Sequence, residues 1–412
     1  MKKIFFILLC IVLIIITVTF IACNSQVNKI DGSFVMEEDC TDGLYFSLVS
    51  PGYYVVTGYD GVDTEVVIPS KIGGMPVKAI ADEAFKSTEG DEVNCNITSI
   101  VIPNSVTSIG NSAFMGCSSL SAITIPGSVL SIGNWAFSYC KKLSSVVISE
   151  GVISIGEYAF YRCSWLDDIT IPDSVTSIGY EAFGDTPYYN NKQNWENGAL
   201  YIGNHLIDTD EMFSDQYVVK QGCVSIADSA FSDCDNLTSI TINMGLRSIG
   251  KKAFYCCSNL INITVPNSIV TIGESAFVGT NYFNNSSNWQ ANVLYIGEHL
   301  IKADVSIDER YEVKINCVSI ADKAFEGCNN LNSVILSSNL KNIGSFAFYN
   351  CGNLSQITIP SSVENIMYGA FDSCDRLKVV SYLGTELQWK NTCIGAKNSD
   401  LTSADIICNY GG

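Results

Sequence analysis

An Ala-Phe pair returns eleven times along the chain, with its phenylalanine at 85, 114, 137, 160, 183, 231, 254, 277, 325, 348 and 371. The first step is 29 residues; every later step is 23, apart from two of 48. A 23-residue unit is too short to enclose a core of its own. It must bury its apolar side against a copy of itself, so copies stack. The period therefore specifies a repeat solenoid.

The text around each phenylalanine says how one coil is built. Ile102-Pro103-Asn104-Ser105-Val106-Thr107-Ser108-Ile109-Gly110 leads to Ala113-Phe114, and Cys117, Leu120, Ile123 and Ile125 follow. The next copy continues with Pro126, Val129, Ile132-Gly133, Ala136-Phe137, Cys140, Leu143, Val146 and Ile148. Leu120, Ile123 and Ile125 form the inward face of a short strand, in the two-residue alternation of a pleat. Pro126 ends that strand, because it has no N–H for a further rung. Val129 and Ile132 point inward from the return segment, Gly133 permits a tight bend, and Ala136 and Phe137 fill the far side. The two long steps share a text of their own. Tyr188-Tyr189-Asn190-Asn191, Trp195 and Leu200-Tyr201-Ile202-Gly203-Asn204-His205-Leu206-Ile207 reappear as Tyr282-Phe283-Asn284-Asn285, Trp289 and Leu294-Tyr295-Ile296-Gly297-Glu298-His299-Leu300-Ile301. Each copy reads as a β-hairpin, turning at Gly-Asn or Gly-Glu, inserted into one coil.

Composition limits the partners. Of 412 residues, 47% are apolar and only 16% charged, enough for a large core and too few charges for a disordered chain. Forty-two acidic against 23 basic side chains give a net charge of −19, which repels nucleic acid. The start of the chain is an export element: Lys2 and Lys3 precede an uncharged apolar stretch, Ile4 to Ala22. Phe20-Ile21-Ala22-Cys23 resembles a bacterial lipobox, with Ala22 as the small residue before a lipid-bearing Cys23 and Phe20 where leucine is usual. Residues 1–22 are then a signal peptide, or else an uncleaved anchor helix, since 19 residues at ~1.5 Å each span roughly 28 Å of bilayer. Both put the rest of the chain outside the cell, tethered to the membrane. Residues 23–33 read as a polar tether, 34–85 as an N-terminal β cap with the first coil, 86–380 as the solenoid and 381–412 as a C-terminal cap.

Seventeen cysteines in an exported chain raise the question of disulfides. Eight occupy one repeat position, three residues after the phenylalanine: Cys117, Cys140, Cys163, Cys234, Cys257, Cys328, Cys351 and Cys374. Stacked coils set them ~4.8 Å apart, within bridging range, yet parallel inward-facing side chains favour a buried thiol ladder. Cys40, Cys95, Cys256, Cys393 and Cys408 lie off the ladder, and a Cys393–Cys408 bridge is open. No Cys-x-x-Cys pair and no histidine partner suggests a metal or cofactor site. His205 and His299, the only histidines, sit at matching places in the inserts, so the repeat itself accounts for both.

Outward strand positions are Ser99/Val101, Ala122/Thr124, Ser145/Val147, Asp168/Thr170, Ser239/Thr241, Asn262/Thr264, Ser333/Ile335 and Gln356/Thr358. Only Asp168 among these sixteen is a carboxylate, too few for the paired acid–base groups of a glycosidase. A polysaccharide-active enzyme on a β-solenoid is the rival class. The small and β-branched residues of this face are accounted for by strand propensity alone; its functional reading is a flat docking face for an extracellular protein or glycan, with Thr124, Thr170, Thr241, Thr264 and Thr358 on it. Trp195 and Trp289, beside the inserts, either pack beneath them or serve as aromatic binding anchors.

The run Leu-x-x-Ile-x-Ile-Pro-x-Ser-Val-x-x-Ile-Gly-x-x-Ala-Phe-x-x-Cys resembles the BspA-like, Treponema pallidum-type leucine-rich repeats over roughly residues 66–380. Tyr53 to Tyr59 with Val66-Val67-Ile68-Pro69 resembles that family's N-terminal cap, and Tyr382-Leu383-Gly384 with Gln388-Trp389 its C-terminal one. The resemblance implies a right-handed leucine-rich-repeat coil with a parallel β-sheet, β-rich caps and two hairpin inserts. It also implies a cell-surface or secreted protein, several members of the family being adhesins.

Overall fold

The structure, a computed structural model, describes residues 28–29, 40–49, 52–87, 96–210 and 215–408. The leader 1–22, Cys23, most of the tether and Cys95 lie outside the described residues. Two compact units are present. One runs to Asp208 and includes Ser225–Ala227; the other holds Thr209–Val224 and the chain from Asp228 onward. Each is a parallel β-solenoid.

In the first unit the strands Ala122–Ile125, Ser145–Ile148 and Asp168–Thr170 pair in parallel, with Ile123, Val146 and Ile169 in one row. Alternation follows the text: Ile123, Ile125, Val146 and Ile148 are buried, while Ala122, Thr124 and Val147 face out. A second column of two-residue strands, Ser108–Ile109, Ser131–Ile132, Ser154–Ile155 and Ser177–Ile178, carries the return segment, its isoleucines buried in register. This column begins at Met75–Ile80, which pairs with Tyr53–Tyr59, itself antiparallel to Leu44–Val49.

The turn side of each coil is also tied to its neighbour. Phe114, Phe137 and Phe160 each donate a backbone N–H to the alanine carbonyl of the next coil at 2.7 Å. Intervening amides close local turns, as Met115 to Ser112 and Cys117 to Phe114, both 3.1 Å. Alternating the two bond types requires left-handed backbone two residues before the phenylalanine, at Ser112, Trp135, Tyr158 and Glu181 (φ 48–59°). Between the columns the phenyl rings stack: Phe85 on Phe114 at 5.0 Å, Phe114 on Phe137 at 4.9 Å, Phe137 on Phe160 at 5.2 Å and Phe160 on Phe183 at 5.3 Å. All five are fully buried, so each ring gains about 2–3 kcal/mol from burial and about 1 kcal/mol from its neighbours.

The second unit repeats the plan. Its long strands are Gln216–Val218, Ser239–Thr241 and Asn262–Thr264, then Arg310–Glu312, Ser333–Ile335, Gln356–Pro360, Val379–Leu383 and Asp405–Cys408. Rings stack from Phe231 through Phe254 to Phe277, and from Phe325 through Phe348 to Phe371, at 4.7–5.3 Å. Residues 379–408 make a further coil in which the helix Glu386–Asn391, closed by a Thr385/Gln388 capping box, joins the two columns.

Two expectations change. Gly133 is not in a positive-φ bend. A Cβ there would stand 2.5 Å from the Gly110 carbonyl carbon, so the glycine is required by the close approach of adjacent coils. The inserts are also more than hairpins hung on a coil. Trp289–Gln290 and Val293–Ile296 pair antiparallel, and Val293–Ile296 pairs antiparallel with His299–Ala303. His299–Leu300 then pairs in parallel with Ser319–Ile320, so the last insert strand is the short rung of its own coil.

Candidate functional site

The outward face of the long strands is built in separate stretches. Thr124, Val147 and Thr170 stand in one row of the first unit. In the second unit Thr241 lies between Val218 and Thr264, and Thr358 between Ile335 and Ser381. The threonines are therefore interleaved with β-branched apolar residues, and Val147, Val218 and Ile335 are 41%, 61% and 45% exposed. The strands after the inserts lack the Leu-x-x-Ile text and were invisible to the pattern. They add Arg310 and Glu312 to the face, and Glu65 and Asp405 join it from the end coils. The face is thus less neutral than sixteen positions suggested, but these charges are spread over separate rungs.

Beside Thr124 the surface dips into an open hollow of about 510 Å³, lined by Ile100, Ile102, Asn104, Ile123, Thr124 and Ser149 among others. Gly127 at its rim could not be larger: a Cβ would meet the Glu150 carbonyl oxygen at 2.0 Å. This volume lies within the range of small-molecule and glycan sites, and its lining mixes apolar walls with hydroxyl and amide groups.

Trp195 and Trp289 hold the inserts together. Their indole N–H groups donate to the carbonyls of Tyr189 (2.8 Å) and Phe283 (2.7 Å), and each ring packs edge-on against that same residue's ring. Both remain half-buried, and Lys192 covers Trp195 at 3.9 Å from the ring centroid.

Neither histidine is placed for chemistry. His205 and His299 are fully buried. In each, Nε2 meets a proline carbonyl, Pro172 or Pro266, at 3.1 Å, and Nδ1 meets a serine hydroxyl, Ser225 (2.8 Å) or Ser319 (2.6 Å). A carbonyl only accepts, so Nε2 carries a proton in both rings, and in neutral His299 Nδ1 accepts from Ser319. Burial holds His299 down at about 4, so its ring is neutral at pH 7.

The cysteine ladder is reduced and buried. Cys117, Cys140 and Cys163 each donate Sγ–H to the phenylalanine carbonyl of the preceding coil at 3.2 Å, and Cys257, Cys351 and Cys374 do so at 2.9–3.1 Å. Burial pushes Cys163 and Cys374 up to about 12. Thiolates are scarce there, which makes these groups structural. Cys408 carries a free thiol, so the Cys393–Cys408 bridge is not formed.

A second side-chain ladder follows the glycine position. Asn111 and Asn134 Oδ1 accept the backbone N–H of Asn134 and Glu157, both 2.9 Å, and Asp322 Oδ1 accepts from Ser345 N–H at 2.6 Å. Burial, opposed by that hydrogen bond, raises Asp322 to about 7. A cleft of about 60 Å³ beside it is lined by Glu274, Phe283, Lys302 and Lys323, whose ammonium pairs with Glu274 at 3.0 Å. Among the described residues no group of three His, Cys, Asp or Glu side chains is arranged to hold a metal ion, and no helix is long and apolar enough to cross a membrane.

Solved structures resemble this chain over most of its length at low identity. A leucine rich cell surface protein from Faecalibacterium prausnitzii A2-165 is 24% identical, over 90% of this chain and 98% of that one, with a TM-score of 0.31. The pneumococcal vaccine antigen PcpA is 19% identical over 92% and 99% of the two chains, with a TM-score of 0.29. A leucine rich repeat protein of T. pallidum is 18% identical over 82% and 83%, with a TM-score of 0.18. No curated protein matches the chain. The model of the BspA type leucine rich repeat region matches in six copies over residues 78–206, 213–311 and 309–409. The repeat text, the stacked coils and a match over most of the sequence agree: the chain belongs to the BspA-type leucine-rich-repeat family.

Proposed function

We propose that this protein is displayed on the outer face of the cell membrane, where it binds an extracellular protein or glycan and mediates adhesion, without catalysis. One observation carries the reading most: the hollow beside Thr124 opens on an outward strand face on which Thr124, Val147 and Thr170 stand in one row. A rigid face of this kind binds by area and shape over many coils, with no single dominant residue. Lys2, Lys3 and the apolar stretch to Ala22 support export, with tethering through a lipid on Cys23 or through a retained anchor helix. The rival, a polysaccharide-active enzyme, is disfavoured by two fully buried histidines whose ring nitrogens are both held in hydrogen bonds and by outward carboxylates set singly.

Residues 24–412 screened against a glycan array and a panel of matrix proteins should retain a ligand. His205→Gln and His299→Gln should leave binding intact once folding is confirmed. Turnover of a polysaccharide that both substitutions abolish would replace adhesion with the enzymatic reading.

A further inference from the structure

The turn side of the first unit carries a second surface, distinct from the long-strand face. At the left-handed position two residues before the phenylalanine, Ser112 and Glu181 are small or polar, while Trp135 and Tyr158 are large aromatics (φ 59° and 55°). The two rings stack at 4.1 Å, 16° from parallel. Tyr161 stands edge-on to both, at 81° and 84°, and Tyr180 is perpendicular to Tyr158 at 5.5 Å. Trp135, Tyr158 and Tyr161 are half-buried and Tyr180 is exposed, so the corner is open to solvent.

Carboxylates rim this corner. Tyr158 is raised by burial first and then by Glu181 and Glu157; Tyr180 reaches about 12, from burial and then its hydrogen bond to Glu181. A cation already seated there shows what the rings accept: the Arg162 guanidinium lies 5.1 Å from the Tyr161 centroid and 5.9 Å from that of Tyr139, anchored by Asp185 at 3.0 Å. With Arg162 committed to Asp185, Glu157 and Glu181 leave the corner negative. Rings at right angles under negative potential attract cations through their quadrupoles. A sugar needs a broad free ring face, and here Trp135 and Tyr158 cover one face of each other.

We propose that the Trp135–Tyr158–Tyr161 corner binds arginine and lysine side chains of a basic, extended partner segment. Charge complementarity selects this occupant, and the seated Arg162 supplies its geometry.

The test measures binding of a fluorescent nona-arginine peptide to the full chain in detergent micelles, beside cellohexaose and a nona-glutamate control. Trp135→Ser/Tyr158→Ser places at both positions the residue that Ser112 already provides, and should weaken peptide binding about tenfold. Glu157→Gln/Glu181→Gln, which leaves the rings in place, should weaken it about threefold. Glu364→Gln/Asp375→Asn, two exposed carboxylates off the long-strand face and remote from the corner in sequence, should change it less than twofold. An unchanged melting temperature shows that each variant folds. The proposal is overturned if all three pairs lose affinity equally, which is diffuse attraction to an acidic protein. It is also overturned if the aromatic pair loses none, or if wild type binds cellohexaose and no peptide.

Discussion

Buried His299 and half-buried Asp322 are titratable groups whose proton affinities move in opposite directions, so they oppose each other in the pH profile. His299 is held near 4 in the fold and takes a proton near 6.5 when unfolded. The unfolded chain binds that proton first, so its contribution is intact above pH 6.5 and is lost as pH falls toward 4, by about 3 kcal/mol. Asp322, raised to about 7, favours the fold below its unfolded value and loses that contribution as pH rises through 7. Single variants separate the two. The stability gap between wild type and His299→Gln, from urea unfolding, should be wide at pH 7 and narrow at pH 4.5; a constant gap refutes the buried neutral ring. Asp322→Asn installs the residue that Asn111 and Asn134 supply in the same slot. It should gain about 1–2 kcal/mol at pH 8, with the gain shrinking toward pH 4. At the same scale, iodoacetamide followed by peptide mass mapping should label Cys256 and Cys408 in the native protein and spare Cys117, Cys140 and Cys163. Fast labelling of the ladder would mean that the coils open.

A single coil shows which features the repeat text reveals and which it hides. Inward Ile123, Val146 and Phe137 were legible because one residue type returns in every copy, and burial of a fixed position demands that. Phe137→Ala should cost about 3–5 kcal/mol in denaturant melts, since rings on both sides of it lose their partner. Gly133→Ala should destabilise comparably, because backbone rather than a movable side chain blocks the added methyl. Features set by variable positions were not legible. The rungs Gln216–Val218 and Arg310–Glu312 alternate, but they carry Tyr217 and Tyr311 at the inward position where the other copies have isoleucine or valine, and no Leu-x-x-Ile text leads into them. The aromatic corner rests on Trp135 and Tyr158, at a position that varies from copy to copy among serine, glutamate, lysine, glycine and one further aromatic, Phe346, so periodicity hid it. Likewise Thr124 and Thr170 were correctly placed outside, but the hollow beside Thr124 needs Asn104 and Ser149 from flanking turns to become a shape.

For the molecule, stacking makes stability a sum over neighbours, so length in whole periods matters more than any one coil. Removing residues 138–160, one full period of the first unit, should leave a cooperative melt. Removing 138–149, half a period, should abolish it by turning inward positions out. Function lies on what stacking leaves outside, and the account stands on the outward strand face being the ligand surface. A row of lysines, Thr124→Lys, Val147→Lys and Thr170→Lys, tests this most directly, measured by surface plasmon resonance against whichever ligand the screen retains. Loss of binding by more than about tenfold, with an unchanged melting temperature, is the predicted result. Wild-type affinity in the folded triple variant would contradict it.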